Sequence, residues 1–276
     1  MPLDQIDVDT LGAPSKKEMS FLDHLEALRW HLARSVIAVI VGAIVVFTAK
    51  DFVFNKIIFA PRFPDFLTYR FICSLSEMLC FEPTPFKIIT RDLAEKFLVH
   101  FKSSIALGFI IAFPYVFWEV WRFVKPALYE RELKTARGIV FVCTLLFVTG
   151  VLFGYYIIAP FSISFLAGYQ LGDIDATPTL ASYMNYMIMF TLPVGLVFEL
   201  PVVVYFFSRL GLIGPESMRS KRRLAFVVIL IVSALITPTT DAITLLIVTF
   251  PLYGLYEISI LVSAKAQKQF EKAQNT

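Results

Sequence analysis

Charge is scarce in this chain. Asp, Glu, Lys and Arg make up 17% of its 276 residues, against about a quarter in ordinary soluble domains. Hydrophobic residues make up 57%, and Phe alone occurs 28 times. So few charges cannot cover a water-facing globule, and the bulk of the protein is expected to be solvated by lipid. Catalytic signatures are also missing: no GxSxG, P-loop, HExxH, CxxC or GxGxxG occurs, which removes the local geometries those chemistries require. Only three cysteines (Cys73, Cys80, Cys143) and three histidines (His24, His31, His100) are present, scattered and without metal-ligand spacing. No metal, cofactor, catalytic site or nucleic-acid partner is expected. Residues 1–20 are polar, with no small-residue cleavage site after an apolar core. No secretory signal peptide is expected, and the first apolar stretch reads as a retained anchor.

What is present is a series of long apolar runs. A spanning helix needs about 20 mostly apolar residues, and six candidates appear, at about 33–50, 97–121, 137–159, 183–208, 224–236 and 242–262. Only Thr237 to Asp241 separate the last two, and the fifth is short. A re-entrant hairpin for spans five and six is the alternative. The expectation is an all-α polytopic integral membrane protein with six transmembrane helices and short spans five and six. Orientation follows from Lys and Arg in short loops. Lys16, Lys17, Arg29 and Arg34 precede span one; Arg122, Lys125, Arg131, Lys134 and Arg137 follow span two; Arg209, Arg219, Lys221, Arg222 and Arg223 follow span four. Segment 160–182 has no Lys or Arg. Both termini are therefore expected in the cytoplasm. The division is a cytoplasmic N-terminal tail at 1–20, a membrane domain at 21–263 with a long outward loop at about 51–96, and a cytoplasmic tail at 264–276. That loop carries basic and acidic residues together, and long loops follow the charge rule less strictly.

Cys73 and Cys80 lie in the outward loop, on the oxidising side, where disulfides persist. A Cys73–Cys80 bridge is expected; two buried thiols on one helix are the alternative. Cys143 reads as packing inside span three. Glu119 and Glu257, flanked by aromatics, read as interface residues, because Trp and Tyr gather there.

Glu199 lies within TLPVGLVFELPVVVYFF, Thr191 to Phe207. A carboxylate at that depth is costly and usually marks function; a protonated or hydrogen-bonded structural carboxylate is the bland alternative. Two stretches read as docking surfaces. FLDHLEALRWHL places Leu22, Leu25, Leu28 and Leu32 at helical spacing and reads as an interfacial helix running into span one. In WRFVKPALYERELK, Pro126 stops span two and Glu130 and Glu132 follow. Carboxylates pair with guanidinium in bidentate fashion, so a partner with exposed arginines fits. A salt-bridge cluster within the loop fits those residues as well.

These stretches together resemble the TatC family, the polytopic receptor subunits of the twin-arginine, Sec-independent protein translocase. The resemblance covers roughly residues 20–263. It rests on His24-Leu25 with Leu28-Arg29, on VWRFVKPALYERE (Val120 to Glu132), on FELPV (Phe198 to Val202), on Thr237-Pro238 with Asp241, and on PLYGLYEI (Pro251 to Ile258). It implies a non-catalytic receptor in a bacterial cytoplasmic (inner) membrane. It binds twin-arginine signal peptides of folded cargo, self-associates, and docks single-span TatA/TatB-like subunits. The implied signal-peptide residues are Glu26, Arg29, Phe123, Glu130 and Glu132; the implied partner-docking residues are Glu199 and Thr237; Pro61, Pro126 and Asp241 are structural. Two positions depart from the family pattern. Ala27 stands where the family has glutamate before Leu-Arg, with Glu26 one place earlier and so rotated by about 100° on a helix. Leu245 stands where span six commonly has glutamine. A proton-coupled secondary transporter using Glu199 is the rival reading, and Pro114, Pro193, Pro201 and Pro251 would suit its interrupted helices. No clear internal repeat supports it.

Overall fold

The computed structural model of the chain describes residues 21–75, 86–124, 136–169, 177–237 and 242–274. Among them the helices in chain order are α1 (Phe21–Thr48), α2 (Lys50–Phe52), α3 (Leu67–Leu75), α4 (Glu95–Val124), α5 (Ala136–Phe153), α6 (Ala159–Gly168), α7 (Leu180–Val197), α8 (Leu200–Arg209), α9 (Pro215–Ser220), α10 (Arg222–Ile236) and α11 (Ala242–Gln274). No strand forms among the described residues, and the only β-type pairing is a single bridge between Ile89 and Thr179. That bridge ties the approach to α4 to the approach to α7. Thr179 then caps α7, its hydroxyl oxygen accepting from the Ser182 N–H at 3.1 Å.

Among the described residues five stretches are long and apolar enough to cross a membrane: Leu25–Thr48, Glu95–Val124, Gly138–Gly168, Leu180–Arg209 and Thr244–Lys268. They stand where spans one to four and six are expected. The candidate fifth span is α10, whose 15 residues reach about 22 Å, short of a bilayer core about 30 Å thick. The other bounds also shift. The segment expected to be an interfacial helix and span one form a single 28-residue helix, α1. Span three extends to Gly168 because a wider π turn at Gly154–Ile158 carries the helix across Pro160. The tail expected from 264 begins as a continuation of α11. In the described part of the outward loop, a π turn at Val53–Ile58 and a 3-10 turn at Ala60–Arg62 lead into α3.

Non-helical backbone near a membrane must be satisfied by protein, and tyrosines do this here. Tyr155 donates to the Ile57 carbonyl at 2.6 Å and Tyr183 to the Ile58 carbonyl at 2.7 Å. Tyr69 donates to the carbonyl of the buried Pro61 at 2.9 Å, with Ser164 Oγ at 3.1 Å. Burial raises the Tyr69 hydroxyl above its ordinary range, with the Ser164 bond opposing, so it stays a neutral donor. Pro61 is fully buried in this enclosure.

Glycines set the helix separations. A Cβ at Gly42 would lie 2.7 Å from the Gly108 carbonyl oxygen, and one at Gly154 would lie 2.0 Å from that of Phe190. The first contact joins α1 to α4 and the second joins the π turn to α7, by the small-residue packing that lipid-solvated helices use. α1 packs principally on α4. Its outer side chains, among them Ile37, Ile40, Val41 and Ile44, point away from the protein.

Candidate functional site

Glu199 sits at a built-in break. Helix α7 ends at Val197 and α8 starts at Leu200, with Pro201 in its first turn. Proline lacks an N–H, so a continuous ladder through this point is impossible. The chain instead tightens, with Glu199 N–H donating to the Leu196 carbonyl at 3.1 Å. The Glu199 carbonyl resumes the ladder by accepting from Val202 N–H at 2.9 Å and Val203 N–H at 3.1 Å. The residue is 7% exposed. Its neighbours are close-packed: a Cβ at Gly195 would meet Val151 at 2.8 Å and the Phe147 ring at 2.9 Å. The Cys143 thiol faces the carboxyl from α5, and among the described residues neither carboxyl oxygen has a partner in hydrogen-bond geometry. Of the protonated or hydrogen-bonded structural carboxylate that sequence allows, the hydrogen-bonded form is not seen among the described residues. Thr237 is buried close to the end of α10, its hydroxyl donating to the Ser233 carbonyl at 2.8 Å.

The second site lies where the end of α4 meets the beginning of α1. Glu119 is 1% exposed, not at a wet interface as its aromatic neighbours suggest. His31 Nδ1 reaches its Oε2 at 2.5 Å, Tyr115 donates to Oε1 at 2.9 Å, and Arg122 stands 3.8 Å from Oε1. The His31 ring also meets the Phe123 ring edge-on, centroids 6.1 Å apart. Helical geometry explains the convergence. Tyr115, Glu119 and Phe123 are successive i+4 neighbours and so share a face of α4, and α1 lies against it. Arg122 instead lies over the Trp118 ring at 4.9 Å. Sequence reasoning leaves His31 as an isolated histidine and Glu119 as an interface residue. The Tyr-x-x-x-Glu spacing was a legible signal, but a partner 88 residues away was not.

The remaining expected residues fall as follows. Glu26 and Arg29 pair with each other at 3.7 Å, with side chains 66% and 71% exposed, away from the His31–Glu119–Phe123 cluster they precede. Cys73 is disulfide-bonded and Cys143 is buried and free. Cys80, Pro126, Glu130, Glu132 and Asp241 lie outside the described residues. Glu257, expected at an interface, is half-buried and accepts from Arg222 at 2.7 Å and Tyr253 at 3.1 Å. No metal-binding group of His, Cys, Asp and Glu forms among the described residues.

The profile of the Sec-independent protein translocase protein family, TatC, matches residues 23–251. The chain belongs to the TatC family. A TatC of Blattabacterium from Periplaneta americana is 35% identical over 262 residues, covering 92% of this chain and 98% of the relative. A TatC of Aquifex aeolicus is 32% identical over 260 residues, covering 92% and 100%. Two crystal structures titled as the twin-arginine translocase receptor TatC, one of them in the detergent DDM, superpose with TM-scores of 0.68 and 0.70. Each is 31% identical and 99% covered, and they cover 88% and 87% of this chain. The protein is thus a multi-pass membrane component of a bacterial Sec-independent translocase, from a family of translocase receptor subunits rather than catalysts. This takes away the ground for the transporter alternative.

Proposed function

We propose that this TatC-family chain is the receptor that binds twin-arginine signal peptides of folded cargo and gathers single-span TatA/TatB-like subunits around itself. The observation that carries the reading is the whole-length likeness to solved twin-arginine translocase receptors. Glu199 supports the partner half of it. An unbonded carboxylate at that depth needs a polar counterpart, and a transmembrane helix with a polar residue at the same level would supply one. Thr237, buried with only its donor engaged, would sit in the same docking surface. Glu130 and Glu132 supply acidic groups for the arginine pair, with Phe123, Arg29 and Glu26 around them. A Cys73–Cys80 bridge, with Pro61, Pro126 and Asp241, would brace the loops.

On the distribution of Lys and Arg, α10 completes six spans with both termini in the cytoplasm, the membrane being the bacterial inner membrane. A span that short must thin the bilayer or lean on its neighbours. The same chain would self-associate, as the resemblance implies. The deciding experiment is site-specific photo-crosslinking from position 132 to a signal peptide carrying paired arginines or paired lysines, in membranes containing the folded protein. A crosslink with arginines alone is expected. Equal or absent crosslinks would overturn the reading.

A further inference from the structure

The cluster around Glu119 is not explained by the residues assigned above to peptide binding. Resting on the receptor reading, we infer that Glu119 is itself an arginine-binding carboxylate for the cargo peptide, and that His31 occupies its place in the cargo-free protein. Four observations converge. First, the acidic residue of the α1 segment is not in the cluster: Glu26 is paired with Arg29 in the open. Second, Glu119 is a desolvated carboxylate on the same face of α4 as Phe123, one turn away. Third, its bonding is incomplete. A carboxylate offers about four acceptor sites, and among the described residues only His31 and Tyr115 donate at hydrogen-bond distance, Arg122 remaining at 3.8 Å over Trp118. Fourth, the group that shields it is easily exchanged. His31 is 19% exposed and lies on α1, which packs principally on α4, so a rotamer change of one ring opens Oε2.

A guanidinium is the better occupant. It presents five donors in a planar fork that matches a carboxylate bidentately, and it is more weakly hydrated than an ammonium. It could take both free positions on Glu119 while Tyr115 stays bound, and Phe123 would offer its ring to the guanidinium plane in place of the imidazole edge. A lysine can supply charge but not the fork. The exchange keeps Glu119 paired throughout, which matters because a buried charge without a partner is strongly destabilising. In the cargo-free protein His31 would therefore compete with the peptide rather than assist it. A purely structural clasp between α1 and α4 makes the opposite prediction.

The test measures affinity of the purified full-length protein in detergent for a labelled signal peptide with paired arginines and for its paired-lysine counterpart. Wild type, Glu119→Gln, His31→Gln and Glu132→Gln are compared, each with its unfolding temperature. Glu119→Gln should weaken the arginine peptide about tenfold and the lysine peptide less than about twofold. His31→Gln should tighten the arginine peptide several-fold. Should Glu119→Gln fail to fold, His31→Gln decides alone, because a clasp predicts loss or no change where competition predicts gain. Equal weakening of both peptides by Glu119→Gln, or no gain in His31→Gln, overturns the inference. If wild type discriminates arginine from lysine and only Glu132→Gln abolishes this, the receptor reading stands and the inference alone fails. No discrimination by wild type overturns both.

Discussion

Glu119 and Glu199 are both carboxylates carried by apolar helices, and both are buried. Their surroundings differ completely. Glu119 is met by His31 from α1, by Tyr115 one turn back and by the Arg122 guanidinium at longer range. Glu199 faces the Cys143 thiol, and neither of its carboxyl oxygens has a partner in hydrogen-bond geometry among the described residues. Local backbone explains part of this. Glu119 lies within the uninterrupted helix α4, so residues three and four away fall beside it. Glu199 lies at the junction of α7 and α8, where Pro201 interrupts the ladder, and its i−4 neighbour is Gly195, which has no side chain to offer. A carboxylate that takes partners from two helices helps to hold those helices together. One left unsatisfied at membrane depth is expensive in isolation, and its retention points to a group supplied from outside.

The comparison breaks first at Glu199. Replacing it by Ala removes a charge that nothing in the isolated chain stabilises, so the protein should fold with an unfolding temperature within about 2 °C of wild type. Retention of single-span partner subunits on co-purification should nevertheless fall about tenfold or more, the scale of one lost polar contact between helices in lipid. Unchanged co-purification, in detergent and in membranes alike, would remove Glu199 from the docking surface. Glu119→Ala should behave in reverse. It leaves His31 and Tyr115 without their acceptor, and the unfolding temperature should drop by about 5 °C. Partner retention per folded molecule should stay within about twofold of wild type, since no docking role is proposed for Glu119. A Glu119→Ala protein as stable as wild type would mean that the His31 bond contributes nothing to holding α1.

The two carboxylates also differ in how much of each was legible. Glu199 stands out in the sequence because a carboxylate inside a seventeen-residue apolar run usually marks function. Its lack of a donor could not be read, because that depends on what α5 presents across the interface, and α5 presents Cys143 and Phe147. Glu119 was hidden by its aromatic setting, which fits an interface residue equally well. Its true partner lies on α1, brought close by the Gly42–Gly108 approach, and a pairing over 88 residues leaves no local periodicity. Span positions were legible because helix length and apolarity are local quantities. The exact ends were not. The fusion of the N-terminal amphipathic segment with span one, and the continuation past Gly154 through a wider turn, depend on the absence of a break rather than on a signal. The folded outward loop was missed for a related reason: its π and 3-10 turns are held by Tyr69, Tyr155 and Tyr183 from elsewhere in the chain.

Glu26 is the third reference point, and the smallest effect is expected there. It pairs with Arg29 one turn on in α1, but both side chains are about two-thirds exposed and the separation is 3.7 Å. Water and salt screen such a pair, and holding two long side chains in one arrangement opposes the gain. Glu26→Ala should therefore change stability by less than about 0.5 kcal/mol. On the proposed function it should also release Arg29, whose guanidinium lies 5.7 Å from the Trp30 ring. If Glu26 does take up the role of the carboxylate missing at Ala27, its loss must weaken an arginine peptide as much as Glu119→Gln does. If it does not, the affinity should move by less than about twofold, a tenfold difference from Ala27→Glu restoring the missing group. Measuring Glu26→Ala and Ala27→Glu side by side separates a carboxylate that is merely near the right position from one that points into the site. A Glu26→Ala loss as large as that of Glu119→Gln would place arginine recognition on the exposed face of α1 instead of the buried face of α4.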